Sequence, residues 1–163
     1  MHYRDMKAIH SLAITTALIA LGAQPFAQGG EALSEDDCTS PAVIAGTGTW
    51  PYSTLNATTG TEGQNETLCD QFGSIIIAKD IWFEWTASGD GIAIVQSCVV
   101  ADHDTKIAAY SGAGCPVDGS AIACNDDSCD LSSKIEFSVI SAVSYTHLRA
   151  HEDVEESRMP SSA

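Results

Sequence analysis

The sequence predicts an all-β protein, an antiparallel β-sandwich of the jelly-roll type, on three observations. Short apolar runs rich in β-branched and aromatic residues recur about every ten residues, and Gly- and Asp-rich turns separate them. No window of a dozen residues repeats its apolar side chains with the helical period of about 3.6 residues. The chain has 163 residues and six cysteines, which suits a single domain held by disulfides.

Seven segments are predicted to be strands. A turn sequence, Ser88-Gly89-Asp90-Gly91, separates two of them, so we expect these two to form a hairpin. Another alternates cleanly, with Ile135, Phe137 and Val139 on one face. In chain order the predicted strands are Gly48–Tyr52, Ser74–Ile77, Ile81–Thr86, Ile92–Gln96, Thr105–Tyr110, Ala121–Cys124 and Lys134–Ile140.

Residues 1–27 are predicted to be a secretory signal peptide. Arg4 and Lys7 make a positive start, and the apolar stretch Ser11–Ala23 is too short to anchor in a bilayer. Cleavage is expected after Ala27 or Ala23, and the alternative is a buried N-terminal helix. Export implies a secreted or cell-surface protein in an oxidising compartment.

Residues 143–163 differ abruptly in composition from the rest. Ser144–Glu152 resembles the translation of a transposase-type sequencing adapter, and Glu156–Ala163 resembles the distal end of the same adapter. We therefore expect the natural protein to be readable only to about Ala142, as the N-terminal fragment of a longer chain. The sandwich would then lack its last strand or two, and residues 143–163 would be a non-native, disordered tail.

The net charge of −15 bears on the partners of the protein. Phosphate binding needs clustered Lys and Arg, so nucleic acid is not expected as a partner, and an anionic lipid surface is equally unfavourable. No apolar run after the signal peptide is long enough to span a bilayer. The expected partners are an extracellular polymer or neighbouring domains of the same longer chain.

Acidic and amide side chains flank two strands that should pair antiparallel, Thr105–Tyr110 and Ala121–Cys124. The start of the first strand would then meet the end of the second. Oxygen ligands from two loops suit Ca²⁺ better than Zn²⁺, so calcium is the cofactor that these residues would hold. The alternative is that they cap strands and form Asx-turns. The candidate ligands are Asp102, Asp104, Asn125, Asp126, Asp127 and Asp130.

The cysteines are interpreted as a disulfide framework rather than a zinc site, because export favours oxidation and no second Cys pair matches a zinc motif. They are Cys38, Cys69, Cys98, Cys115, Cys124 and Cys129, and the sequence does not determine how they pair. Trp50 and Tyr52 are the candidates for stacking on a sugar ring, although burial in the core is the more common position of a sandwich tryptophan.

Four motifs in order resemble the bacterial pre-peptidase C-terminal domain, in its cysteine-rich secreted form. They are Asp36-Asp37-Cys38, Asp80–Ala87, Asp104–Gly112 and Ala123–Cys129, and the resemblance covers about residues 35–142. It implies a β-sandwich without catalytic machinery, which accompanies secreted peptidases or repeats in long extracellular proteins. The roles that it implies are binding, spacing and support of secretion.

The sequence therefore predicts a non-catalytic secreted module. No Gly-x-Ser-x-Gly elbow is present, and His103 is the only histidine between residues 28 and 142, so no nucleophile and base are apparent. The alternative function is a carbohydrate- or polymer-binding module attached to a downstream secreted hydrolase, either a peptidase or a glycosidase.

Overall fold

A computed structural model describes residues 10–16, 32–98 and 103–151, and over these ranges the protein is all-β. The predicted fold class is confirmed. A short 3-10 helix, Thr67–Cys69, is the one helical element in these ranges. The strands there are β1 (His10–Thr16), β2 (Ala42–Ala45), β3 (Gly48–Tyr52), β4 (Ile81–Thr86), β5 (Gly91–Gln96), β6 (Thr105–Ser111), β7 (Ala121–Asp126), β8 (Lys134–Val139) and β9 (Ser144–His151). The described residues contain no helix that is long and apolar enough to cross a membrane.

Two sheets form the sandwich. The four-stranded sheet has the order β3-β1-β5-β8, and the five-stranded sheet has the order β2-β4-β9-β6-β7. Neighbouring strands are antiparallel except β2 and β4, which are parallel. The predicted pairing of β6 with β7 is confirmed.

The predicted hairpin of β4 with β5 is wrong, because the turn between them crosses from one sheet to the other. Both strands bury apolar side chains in the same inter-sheet core, for example Trp85 of β4 and Val95 of β5. The two strands therefore face each other across the core, which removes their inward side chains from water. Ser74–Ile77 is also not a strand in the structure.

The inter-sheet core contains the inward side chains that the alternation predicted. Ile135, Phe137 and Val139 of β8 are all buried there. Aromatic rings fill the centre, with the ring centroids of Phe137 and Tyr145 5.5 Å apart. Trp85 also contributes, and its indole nitrogen donates a hydrogen bond of 2.7 Å to the Gly46 carbonyl oxygen.

A second apolar cluster lies on the outer face of the five-stranded sheet. Residues 53–80, which we call the covering segment, contribute Cys69 and Ile77 to this cluster, and the sheet contributes Trp82, Ala108 and Tyr110. Trp82 is therefore buried on the face opposite to Trp85, and β6 is buried on both faces from Thr105 to Tyr110. Because this second layer covers the outer face of the sheet, β6 does not alternate between buried and exposed residues.

The structure differs from the sequence-based expectation at two strands. His10–Thr16, inside the predicted signal peptide, forms β1 between β3 and β5, where Ile14 is fully buried. Ser144–His151, inside the expected disordered tail, forms β9 between β4 and β6. That expectation is incorrect for β9, because ladder hydrogen bonds use the backbone and Tyr145 and Thr146 favour strands. Residues 152–163 lie outside the described ranges.

Candidate functional site

The carboxylates predicted to converge do meet, at the end of the five-stranded sheet where β6 begins and β7 ends. Because the two strands are antiparallel, Lys106 lies directly opposite Asp126. Asp104 precedes β6, and Asp127 follows β7 in a left-handed conformation with φ of 57°. Residues two apart on a strand share a face, so Asp104 and Lys106 lie on the outer face, where the covering segment packs.

The charged groups of this cluster lie close together, and all but Asp127 are buried. Carboxylate oxygens of Asp104, Asp126 and Asp127 all lie within 4.8 Å of one another. The ammonium nitrogen of Lys106 lies 3.3 Å from Asp126 Oδ2, and the two side chains are 0% and 4% exposed. Lys106 Nζ also donates a hydrogen bond of 3.1 Å to the carbonyl oxygen of Ser74 in the covering segment. The site therefore combines three carboxylates with one ammonium group.

Side-chain hydrogen bonds from the covering segment close the site. Gln71 Oε1 accepts a 2.6 Å hydrogen bond from the backbone nitrogen of Asp126. Gln71 Nε2 donates one of 3.4 Å to the carbonyl oxygen of Cys124. Gln71 thus pairs with the free edge of β7 much as a neighbouring strand would, and it holds the backbone of Asp126 in place.

The start of β6 is fixed by a buried hydroxyl network. The hydroxyls of Ser97 and Thr105 are 2.7 Å apart, and Ser133 N donates to Ser97 Oγ at 2.8 Å. Ser133 Oγ in turn donates to the Thr105 carbonyl oxygen. All three residues are buried, so these bonds replace the hydrogen bonds that water would make. They position Thr105, and with it the neighbouring Asp104 and Lys106.

Of the six candidate calcium ligands, the structure brings three together. Asn125 does not direct its amide oxygen there, since Oδ1 accepts a 3.2 Å hydrogen bond from the backbone nitrogen of Lys134. Asp130 is exposed, and Asp102 lies outside the described residues. Calcium at this cluster stays a prediction. A divalent cation would have to share the carboxylates with Lys106, a member of the site that the sequence analysis missed.

The described cysteines form three disulfides, as predicted from export and composition. They are Cys38–Cys115, Cys69–Cys124 and Cys98–Cys129, and their sequence separations are 77, 55 and 31 residues. Cys69–Cys124 joins the covering segment to β7. Cys98–Cys129 links the segments that precede β6 and follow β7, beside the acidic cluster. One disulfide of the framework therefore ends in a strand of the five-stranded sheet, and the other two join loops.

The two predicted stacking residues do not present free rings. Tyr52 is completely buried, and Trp50 is half-buried and packs against the inter-sheet core. The aromatic side chain that the covering segment does expose is Phe72, at 80%. Phe72 has a φ of 54° and Gly73 a φ of 86°, so the ring stands at the tip of a tight turn between Gln71 and Ser74.

Two buried carboxylates in and beside the covering segment were not predicted. Glu66 is 1% exposed, and its two oxygens accept backbone hydrogen bonds from Gly119 at 2.9 Å and Ala121 at 3.0 Å. Asp80 is fully buried and accepts hydrogen bonds from the Gly60 backbone and the Trp82 indole. Glu66 therefore binds backbone groups 53 and 55 residues away in sequence, whereas Asp80 binds one group 20 residues away and one two residues away.

Burial shifts the acid–base behaviour of this layer. It raises the pKa of Asp80, against the hydrogen bonds that favour the charged form. Burial also raises the pKa of the Tyr110 hydroxyl, and the negative charges of Glu66, Asp118 and Asp80 add to that rise. Tyr110 is therefore a neutral packing residue at neutral pH.

Comparison with protein-family models, with curated proteins and with solved structures finds no match to this chain. The resemblance to the bacterial pre-peptidase C-terminal domain stays a prediction that rests on its four motifs.

Proposed function

We propose that this chain is a non-catalytic, secreted β-sandwich module that forms the N-terminal part of a larger extracellular or cell-surface protein. The observation that carries the proposal is the set of three disulfides, one of which ties the covering segment to β7 while the other two join loops. Disulfides of this kind form and persist in oxidising compartments. The module would serve in binding, spacing or support of secretion.

The roles of the buried charged side chains support a non-catalytic module. Glu66 and Asp80 use their oxygens to bind backbone and indole donors within the fold. Lys106 donates to a backbone carbonyl and pairs with Asp126 under the covering segment. These charged groups bind other parts of the fold and hold its layers together, which is a structural role. The four motifs of the bacterial pre-peptidase C-terminal resemblance are a further support.

Expression in two compartments tests this proposal. The chain is produced once with export to an oxidising compartment and once in a reducing cytoplasm. Free thiols and the rate of digestion by a broad-specificity protease are then measured. We expect the exported protein to have no free thiol and to resist digestion, and the cytoplasmic protein to be digested quickly. Equal resistance of the two forms to the protease would contradict a fold that depends on disulfides formed during secretion. N-terminal sequencing of the exported protein would locate the predicted cleavage of the signal peptide.

The exposed ring of Phe72 favours a second candidate function, a polymer-binding module attached to a downstream secreted hydrolase. A bulky aromatic residue in a left-handed conformation is costly, and such strain is often kept for a binding function. Co-sedimentation with insoluble cellulose, chitin and peptidoglycan tests this candidate. Binding that is lost in Phe72→Ala would favour it, and the absence of binding to all three polymers would leave only the scaffold role.

A further inference from the structure

We infer that Lys106 and Asp126 are poised to form an intramolecular isopeptide bond, an amide that joins the Lys106 side-chain nitrogen to the Asp126 side-chain carbon. The inference goes beyond the proposed function, because it assigns a covalent self-modification site to the buried cluster. It depends on the position of the two groups, on their removal from water and on the presence of further carboxylates beside them.

The position of the two groups is fixed by the sheet. Lys106 and Asp126 are partners in the register of β6 and β7, so their side chains leave the sheet on the same face. Lys106 Nζ lies 3.3 Å from Asp126 Oδ2, so the amine is held against the carboxyl group whose carbon it would attack. The hydrogen bond from Lys106 Nζ to the Ser74 carbonyl limits the movement of the amine, and Gln71 anchors the backbone of Asp126.

Removal from water favours the bond. The side chains of Lys106 and Asp126 are 0% and 4% exposed, so both charges have lost their hydration, and this loss of hydration opposes burial of an ion pair. Condensation converts the two charges into one neutral amide, which removes that cost. In bulk water the high concentration of water favours hydrolysis over amide formation. A buried site excludes most of this water, so amide formation is opposed less strongly there.

The atoms of the reaction balance without an added reactant. A proton passes from the Lys106 ammonium to a neighbouring carboxylate, and the neutral nitrogen attacks the Asp126 side-chain carbon to form the C–N bond. One C–O bond of Asp126 then breaks, and its oxygen leaves as water with two protons from the original ammonium group. Asp104, 3% exposed and within 4.8 Å of an Asp126 oxygen, is placed to carry those protons.

The molecule supplies a matched comparison for burial. Lys134 and Glu136 form a second ion pair, with Nζ only 2.7 Å from Oε1. Their side chains are 38% and 53% exposed, so water solvates both charges and screens their interaction. If proximity were sufficient, this closer pair would condense first. We expect it to remain an ion pair, because it lacks the burial of Lys106 and Asp126.

Intact-mass measurement of the full folded chain tests the inference. After reduction of the disulfides, the wild-type protein should be lighter than its sequence by one water molecule. Lys106→Arg and Asp126→Ala should have their full sequence masses, and the control Lys134→Arg should still lack one water. Trypsin should fail to cleave after Lys106, and fragmentation of the digest should give a branched peptide that joins β6 to β7.

The wild-type mass alone decides the matter even if a variant fails to fold. A folded, reduced wild-type chain with its full sequence mass would overturn the inference. A water loss that persists in Lys106→Arg would also overturn it, since the loss would then arise elsewhere in the chain. For the proton carrier, Asp104→Asn should retain the three disulfides and form the bond more slowly in a time course after refolding, and Asp104→Glu should restore part of the rate.

Discussion

Replacing Glu66 by glutamine should destabilise the protein far more than its position in a polar loop indicates. The side chain is 1% exposed, and its carboxylate accepts hydrogen bonds from two backbone nitrogens at the start of β7, those of Gly119 and Ala121. Glutamine keeps the size of the side chain but has one oxygen. Its amide group would point two hydrogens at a backbone N–H that is itself a donor.

The expected magnitude follows from these contacts. A hydrogen bond to a charged group contributes about 1.5–3 kcal/mol, and a buried donor left without an acceptor costs about 1–3 kcal/mol. One of the two bonds to Glu66 would weaken because its acceptor becomes neutral, and the other would be lost. We therefore expect Glu66→Gln to lower the free energy of unfolding by about 2–4 kcal/mol.

Urea unfolding of the oxidised protein measures this effect, as a lower midpoint with an unchanged dependence on urea concentration. Glu136→Gln is the matched control, because Glu136 is a strand residue whose side chain is 53% exposed. An exposed ion pair contributes about 0–1 kcal/mol, so the control should change little. If Glu66→Gln were as mild as Glu136→Gln, the carboxylate would not hold the covering segment to β7 and the reasoning would be refuted.

Three further predictions concern the turn tip, the cluster and the pH dependence. Phe72→Asn should raise the free energy of unfolding by about 1 kcal/mol in urea, because asparagine tolerates a left-handed conformation that strains phenylalanine; a loss of stability would show that the ring packs on something. Lys106→Met should remove the ammonium group that competes with a cation for the carboxylates, so that added Ca²⁺ raises the melting temperature of the variant more than that of the wild type; an equal response of both proteins would contradict this. Because the folded-state pKa of Asp80 is raised, its contribution to stability is present at acid pH and is lost as pH rises through that raised value. The unfolding free energy of the wild type relative to Asp80→Asn should therefore fall as the pH rises from below the ordinary aspartate pKa to above the raised one, and a constant difference would refute the shift.

Local alternation predicted the fold class and most of the strands, because a strand that faces one core repeats every second residue. Lys134–Val139 shows this clearly, with three buried and alternate residues. The placement of β4 and β5 in different sheets could not be predicted in the same way. A turn sequence indicates where the chain reverses, and it does not distinguish a hairpin within one sheet from a crossing between two sheets. That choice depends on which strands compete for each edge.

The candidate site was predicted in part, for a physical reason. Asp104 and Asp126 flank strands whose pairing the sequence indicated, so their meeting followed from antiparallel geometry. Lys106 was missed because alternation places a lysine on the solvent side of a strand. Here the solvent side is covered, and the cover is a loop without periodicity. Contacts such as Glu66 with Ala121 join residues far apart in sequence, and no local pattern encodes them.

The two unexpected strands show the limit of composition as a guide. The features that indicate a signal peptide describe how a segment is handled by the export machinery, and an apolar stretch such as Ser11–Thr16 is also a good strand. In β9, the change of composition at Val143 indicated a foreign origin. Origin and conformation are separate properties, however, since the edges of β4 and β6 can pair with any backbone that reaches them.

The position of β9 has a consequence for the order in which the chain acquires structure. This strand is the latest in sequence among those described, yet it lies in the middle of the five-stranded sheet, with β4 on one side and β6 on the other. A ribosome delivers β4 and β6 earlier, and they have no ladder between them until residues 144–151 arrive. The nascent polypeptide would thus stay incompletely folded until residues 144–151 are synthesised. An incompletely folded chain can still pass through a translocation channel. The five-stranded sheet can be completed only when a strand occupies this central position and pairs with both β4 and β6.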